Sequence, residues 1–139
     1  MFKKKPKAVK VSNMGEIDEL TKTGKPVLVD FYQTSCAPCQ VMDGIFNELA
    51  REYGSSAHVV KADIGRMPDA VARFKIRSTP TMVLLTAARP KKAKKGRSRQ
   101  SGQASGRRAV TQRWRASGLV PKDQLVRLLE SNGAQRVDA

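Results

Sequence analysis

The sequence has few cysteines, few aromatic residues and one histidine, and each scarcity excludes a class of protein. Two cysteines in 139 residues are too few for the disulfide framework of a small secreted domain. A structural zinc site needs four ligands, whereas the chain offers Cys36, Cys39 and His58. A zinc site completed by a partner chain stays open as an alternative, but we expect no metal and no cofactor.

Long apolar runs are also missing. No run approaches the roughly 20 residues that span a membrane, and no apolar signal segment follows the basic N-terminus. We therefore expect no membrane span and a cytoplasmic protein, with the mitochondrial matrix or the nucleus as alternative compartments. The length of 139 residues fits one domain with a real core, which we expect to be a monomer.

Acidic residues are scarce, and their distribution divides the chain. The net charge is +15, yet residues 1–10 carry five lysines and residues 89–115 carry eleven basic residues without one acid. The remainder holds eleven basic and twelve acidic residues and is nearly neutral. This pattern predicts a basic disordered tail over residues 1–7, a folded domain over 8–131 with a flexible basic insertion at about 89–108, and a C-terminal tail over 132–139.

The insertion contains no side chain that could build a core. Between Lys91 and Arg108 there is no aromatic residue and no aliphatic residue larger than alanine. Such a segment is expected to be disordered alone and able to bind polyanions, either nucleic acid without sequence preference or an acidic protein. The candidate polyanion-binding residues are Lys91, Lys92, Lys94, Lys95, Arg97, Arg99, Arg107 and Arg108. A nuclear-localisation signal and a merely solvated loop are the alternatives.

The most informative stretch runs from residue 27 to residue 50. An apolar strand-like run at 27–32 leads directly into Cys36 and Cys39, which are separated by Ala37 and Pro38. Apolar residues then recur at helical spacing up to residue 50. The free N–H groups at the start of a helix favour a thiolate there, so this arrangement predicts dithiol–disulfide exchange.

The remaining periodicity predicts the fold class. Strands are expected at 8–11, 27–32, 58–64, 81–85 and 110–115, with helices at 15–23, from the cysteines to residue 53, at 68–74 and at 121–131. Alternating units followed by a hairpin and a final helix indicate an α/β fold, with a central mixed β-sheet flanked by helices on both faces. The cysteine loop then lies at the carboxyl end of a central strand.

Four spaced segments resemble the thioredoxin family in matching order. They are VLVDFYQTSCAPCQ at 27–40, VVKADI at 59–64, FKIRSTPTMVLL at 74–85 and SGLVPKDQLVRLLE at 117–130. The resemblance covers about residues 8–88 and 109–131. It implies the thioredoxin fold and a protein disulfide reductase that is recycled by a separate disulfide reductase. The alternative is a binding or targeting module that uses the basic insertion.

The resemblance also assigns roles to residues. Cys36 is implied as the attacking thiol, Cys39 as the resolving thiol, Asp30 as the buried carboxylate beneath them and Lys61 as the lysine near it. Pro80 is implied as the cis proline that faces the disulfide. The residues implied to contact substrates are Ser35, Ala37, Pro38, Thr79, Pro80 and Gly118.

Apart from the resemblance, the residue types themselves support the role of Asp30 and leave the roles of the other residues open. A carboxyl on an apolar strand, such as Asp30, is desolvated, and its raised pKa suits proton transfer near neutrality. The alternatives are an edge-strand surface carboxylate for Asp30, an ordinary solvated lysine for Lys61, and a packing relic for the cysteine pair.

The sequence departs from the family pattern at four positions around the cysteines. Ser35 replaces the usual tryptophan, Ala37 the usual glycine, Gln40 the usual lysine and Gly44 the usual proline of the helix. These changes leave the two thiols in place, and we expect them to alter the surface around the dithiol.

Overall fold

The computed structural model describes residues 7–87 and 110–137. In chain order the elements are β1 (Val9–Val11), α1 (Met14–Thr21), β2 (Val27–Tyr32), α2 (Ala37–Tyr53), β3 (His58–Asp63), a 3-10 turn (Ile64–Arg66), α3 (Pro68–Phe74), β4 (Thr81–Ala87), β5 (Val110–Ser117) and α4 (Lys122–Ser131). Every strand and helix expected from the sequence is present, and their ends differ from the expected ones by at most two residues.

The strands form one mixed sheet in the order β1-β3-β2-β4-β5. The pairs of β3 with β1 and with β2 are parallel, whereas β4 is antiparallel to both β2 and β5. Strand β2 is therefore central, and it is buried along nearly its whole length. A strand covered on both faces carries a near-continuous apolar sequence, as β2 does except at Asp30.

Helices cover both faces of the sheet, and each face has its own core. One core joins α2 and α4 to the sheet through Leu28, Phe46, Leu84 and Leu125, none of which is exposed to solvent. The other core joins α1 and α3 to the opposite face through side chains such as Ile17, Phe31 and Phe74. Because alternate residues of a strand point to opposite faces, Asp30 shares the α2 face with Leu28.

The β4–β5 pair runs from one end of the sheet to the other. Thr81 of β4 pairs with Phe31 and Ser117, near the loop that leads to the cysteines. Ala87 pairs with Val110 at the far end, about 20 Å away for six strand steps. The chain between Ala87 and Val110 contains the basic insertion, which lies outside the described residues together with residues 1–6.

The chain that follows α4 packs back onto the domain. Ala134 is buried, and the backbone N–H of Val137 donates a hydrogen bond to the carbonyl oxygen of Glu52 at 2.8 Å. Residues 134–137 of the expected C-terminal tail thus contact the end of α2.

Candidate active site

Cys36 and Cys39 form a disulfide at the start of α2, with Cα atoms 5.1 Å apart. Cys36 is the N-cap residue of the helix, in an extended backbone conformation, and its Sγ accepts a hydrogen bond from the backbone N–H of Cys39 at 3.3 Å. Pro38 occupies the first turn, where its missing N–H leaves no helical hydrogen bond unmade. The sequence thus places an amide donor at the sulfur that would carry negative charge.

The two sulfurs differ in access to solvent. Cys36 is half-buried, whereas Cys39, in the first turn of α2, is 4% exposed. Ser35, Ala37 and Pro38 around them are exposed. Cys36 is therefore the sulfur that a large substrate can reach.

A second segment faces the disulfide from the other side. The Thr79–Pro80 peptide bond is cis, as the family resemblance implies. The carbonyl oxygen of Thr79 lies 3.8 Å from Sγ of Cys36, and its hydroxyl oxygen lies 3.6 Å from the same atom. The segment before β4 thus brings one hydroxyl donor within reach of Cys36.

Gly118 fixes the third side of the site. Its backbone N–H donates a hydrogen bond to the carbonyl oxygen of Pro80 at 2.8 Å. Its φ angle is +89°, a backbone conformation that residues other than glycine rarely adopt. Leu119, the next residue, is 60% exposed. The predicted substrate-contacting residues therefore surround the disulfide on one end of the sheet.

A shallow pocket of about 200 Å³ opens beside the disulfide. Its lining residues are Tyr32, Gln33, Thr34, Ser35, Cys39, Gln40 and Asp43. Ser35 holds a φ angle of +64°, a left-handed conformation that is uncommon for residues other than glycine, asparagine and aspartate. The pocket gives solvent a path to the side of α2 that carries Cys39.

Asp30 is a fully buried carboxyl on the central strand. It is 0% exposed, so the alternative of a surface carboxylate on an edge strand is wrong. Neither of its carboxyl oxygens has a hydrogen-bond partner among the described residues. Burial, followed by the nearby Asp43 carboxylate, raises the pKa of Asp30 to about 7, although Lys61 opposes the shift. Asp30 can thus exchange a proton near neutral pH.

Lys61 is also buried, at 5% exposure, so the alternative of an ordinary solvated lysine is wrong. It pairs directly with Asp30 in the β2–β3 register. Its ammonium nevertheless forms an ion pair with Asp43 and donates to Oδ1 of Asn47 at 3.3 Å. Neither Asp43 nor Asn47 was expected at the site, although both follow Cys39 at successive spacings of four residues and so lie on one helix face.

The structure does not bring the three possible zinc ligands together. His58 begins β3 and pairs with Val27, at the end of the sheet away from the cysteine loop. Its imidazole Nε2 lies 3.0 Å from the hydroxyl oxygen of Thr23. Among residues 7–87 and 110–137, no three His, Cys, Asp or Glu side chains are grouped to hold a metal ion.

Comparison with known proteins agrees with this geometry. The thioredoxin family model matches residues 8–105, which is most of the chain. The chain belongs to the thioredoxin family. The thioredoxin of Mycoplasmoides gallisepticum is 29% identical over 120 residues, which cover 86% of this chain and 97% of that protein. A mutant thioredoxin from Halobacterium salinarum superposes with a TM-score of 0.65 at 25% identity, covering 95% of this chain and 96% of the other.

The family and the disulfide together define the activity. This thioredoxin family member is a thiol–disulfide oxidoreductase with the thioredoxin fold. A further relative, the bifunctional thioredoxin reductase/thioredoxin of Mycobacterium leprae, is 32% identical over 84 residues, or 60% of this chain and 18% of that protein. In the part of the chain that the structure describes, no helix is long and apolar enough to cross a membrane.

Proposed function

We propose that this thioredoxin family member reduces disulfides in other proteins, with Cys36 as the attacking sulfur. The observation that carries the proposal is the position of Cys36, which is half-exposed and accepts the Cys39 amide at the start of α2. That amide and the helix dipole stabilise negative charge on this sulfur. The reduced protein therefore presents a thiolate where a substrate can approach.

The proposed reaction has two exchange steps. The Cys36 thiolate attacks one sulfur of a substrate disulfide, forming a mixed disulfide and releasing the other substrate sulfur as a thiolate that takes up a proton. Cys39 then passes its thiol proton to the Asp30 carboxylate, and its sulfur attacks Sγ of Cys36. The bond between Cys36 and the substrate breaks, and the second substrate sulfur leaves as a thiolate that takes up a proton. Two electrons pass to the substrate, and the protein keeps the Cys36–Cys39 disulfide.

Substrate contact is assigned to the surface around Cys36. Thr79 would offer its backbone to an extended substrate segment, and Pro80 would hold that segment beside the disulfide. Ser35, Ala37 and Pro38 would contact the substrate from the α2 side. Gly118, which bonds the Pro80 carbonyl, would keep the remaining side open.

The protein needs a donor of two electrons to return to the dithiol form. We assign that role to a separate disulfide reductase. In the Mycobacterium leprae relative a thioredoxin and a thioredoxin reductase are named as one bifunctional protein, which supports a donor of this kind. We also propose that the protein is a monomer in the cytoplasm; both cysteines are in the redox pair, which leaves none for a disulfide between two copies. Light scattering and imaging of a tagged chain test these two assignments.

Insulin reduction tests the reductase proposal. With a small dithiol as reductant, the wild-type protein should accelerate insulin precipitation, and Cys36→Ser should abolish the acceleration. Cys39→Ser should accumulate mixed disulfides, since the resolving sulfur is missing, and these identify physiological substrates by mass spectrometry. Failure of the wild type to exceed the dithiol alone would contradict the proposal.

The basic insertion supports a second, additional role. The nine basic residues of 89–108, a range without an acid, would bind nucleic acid or an acidic protein, while the dithiol acts at the end of the sheet remote from Ala87 and Val110. Affinity for a random DNA duplex should then fall with salt at a log–log slope of about −0.9 per phosphate contact. Deleting residues 90–108 should remove this binding and preserve insulin reduction, whereas salt-independent binding would contradict the role.

A further inference from the structure

Asp30 and Lys61 stand opposite each other in the register of β2 and β3, yet their side chains do not pair. A buried cation beside a buried carboxyl would ordinarily form an ion pair, because each charge otherwise loses its hydration without compensation. The Lys61 ammonium is instead held by Asp43 and Asn47 of α2. These two side chains of α2 therefore hold the ammonium in place of Asp30.

Asp43 is the more favourable partner for the Lys61 ammonium because its carboxylate is less desolvated than that of Asp30. Its side chain is 48% exposed, so its charge keeps contact with water, whereas Asp30 is fully enclosed. Asn47 reinforces the arrangement, since its amide donates to Oδ2 of Asp43 at 3.4 Å while its Oδ1 accepts from Lys61. The three polar groups form a chain from the pocket rim to the interior.

We propose that Asp43 is a positioning residue of the active site: by holding the Lys61 ammonium on α2, it leaves Asp30 as an unpaired carboxyl that is free to accept a proton. Asp43 touches neither sulfur in this role and acts through Lys61. The inference rests on the proposed role of Asp30 as proton acceptor for Cys39. In this proposal the proton affinity of the Asp30 carboxylate depends on Asp43, which lies outside the four sequence segments that resemble the family.

The surroundings of Asp30 support this assignment. The charged or titratable groups whose electrostatic effects couple to Asp30 are Lys61 from β3, Asp43 from α2 and Tyr32 from its own strand, while its β4 partner is the apolar Met82. Burial contributes most to its raised pKa, the Asp43 charge adds to it and the Lys61 charge opposes it. Releasing Lys61 from Asp43 would strengthen the one opposing effect.

The test follows the Asp30 carboxyl directly by carbon-13 NMR in the oxidised protein, where no thiol titrates. The wild-type midpoint is expected near pH 7. In Asp43→Asn the proton should bind about tenfold more weakly, moving the midpoint about one pH unit down. Asp43→Glu should restore the wild-type midpoint. Glu48→Gln on the same helix removes an equal charge that contacts Lys122, and should leave the midpoint unchanged.

The same shift measured without Lys61 separates action through the lysine from a direct charge effect. Comparing Lys61→Gln with the double variant Asp43→Asn/Lys61→Gln should show a smaller downward shift than Asp43→Asn causes when Lys61 is present, because only the direct effect of the Asp43 charge remains. An unmoved midpoint in Asp43→Asn, or an undiminished shift in the Lys61→Gln background, would overturn the proposal. If Asp43→Asn does not fold, Asp43→Ser takes its place in both backgrounds, and the same two results overturn the proposal.

Because the titration needs no substrate, its outcome is independent of insulin reduction. A protein that fails to reduce insulin but shows the tenfold change would refute the proposed function and keep the positioning role. The reverse result would refute the role of Asp43 alone.

Discussion

Arg115 of β5 donates a hydrogen bond to the carbonyl oxygen of Lys75 at 2.9 Å, and a second one to the carbonyl of Phe74. These carbonyls end α3, where Lys75 takes a left-handed conformation with a φ angle of +53°. The guanidinium therefore satisfies helix-end acceptors and joins the edge strand to the segment that leads toward Thr79.

Arg115→Ala should lower the free energy of unfolding by about 1–3 kcal/mol, because two charge-assisted hydrogen bonds to backbone carbonyls are lost. Urea denaturation measures the change. Arg113→Ala is the matched control, since Arg113 is exposed and unpaired in the β4–β5 register, where a bulge interrupts the strand. Equal losses in the two variants would show that the contacts to α3 contribute nothing.

In the reduced protein, iodoacetamide should modify Cys36 at least about tenfold faster than Cys39. Cys36 is the more exposed of the two, and it accepts the Cys39 amide, which favours the reactive thiolate. Peptide mass spectrometry after timed quenching reports both rates. The two single serine variants give each rate without competition, and equal rates would remove the structural reason for naming Cys36 as the attacking sulfur.

The stability of the wild type should fall as the pH rises from about 4 to about 7. The folded-state pKa of Asp30 is about 7, above the roughly 3.9 of an unfolded chain, so the folded state binds more protons across this window. The loss is complete above the folded pKa and amounts to about 4 kcal/mol at most.

Asp30→Asn should remove this dependence. At pH 8 the variant should be more stable than the wild type by about 2–4 kcal/mol, and the difference should disappear near pH 4. Urea titrations at several pH values measure it, with the exposed Glu19→Gln as a control that keeps the wild-type profile. A constant difference between Asp30→Asn and the wild type across this range would contradict the raised pKa.

Tyr53→Phe should cost about 1–2 kcal/mol of stability. The phenol is 1% exposed and donates a hydrogen bond to Oε2 of Glu130 at 2.6 Å, which links the end of α2 to α4. Burial and the Glu130 carboxylate raise the pKa of Tyr53 to about 12, so the donor proton is retained at neutral pH. A double-mutant cycle with Glu130→Gln isolates the pair, and a coupling energy of zero would contradict the prediction.

Local patterns predicted most of the fold. Strand β2 is an uninterrupted apolar run apart from Asp30, and α2 shows apolar residues at helical spacing up to Tyr53. Periodicity of this kind reports burial directly, which explains why the elements were found within two residues of their ends. The ends themselves depend on single hydrogen bonds, such as the one that the backbone N–H of Glu16 donates to Oδ1 of Asn13, which periodicity does not encode.

The sequence predicted which residues lie near the disulfide more completely than it predicted their contacts. Cys36, Cys39 and Pro80 belong to local motifs, whereas the partner of Lys61 depends on how α2 crosses β3. An isolated lysine in an apolar strand gives no sign of whether its ammonium turns toward Asp30 or Asp43. Only the packing of α2 on the sheet decides between them. Motifs in the sequence therefore did not predict the cluster of Lys61, Asp43 and Asn47.

The pairing of Ala87 with Val110 has a consequence for protein engineering. The last pair of β4 and β5 lies there, at the end of the sheet remote from Thr81 and Ser117. A fluorescent domain or an affinity peptide is therefore best inserted between these two residues, at the end of the sheet remote from the disulfide. The inserted segment would stay attached to the enzyme, and thiol–disulfide exchange at Cys36 would be unaffected.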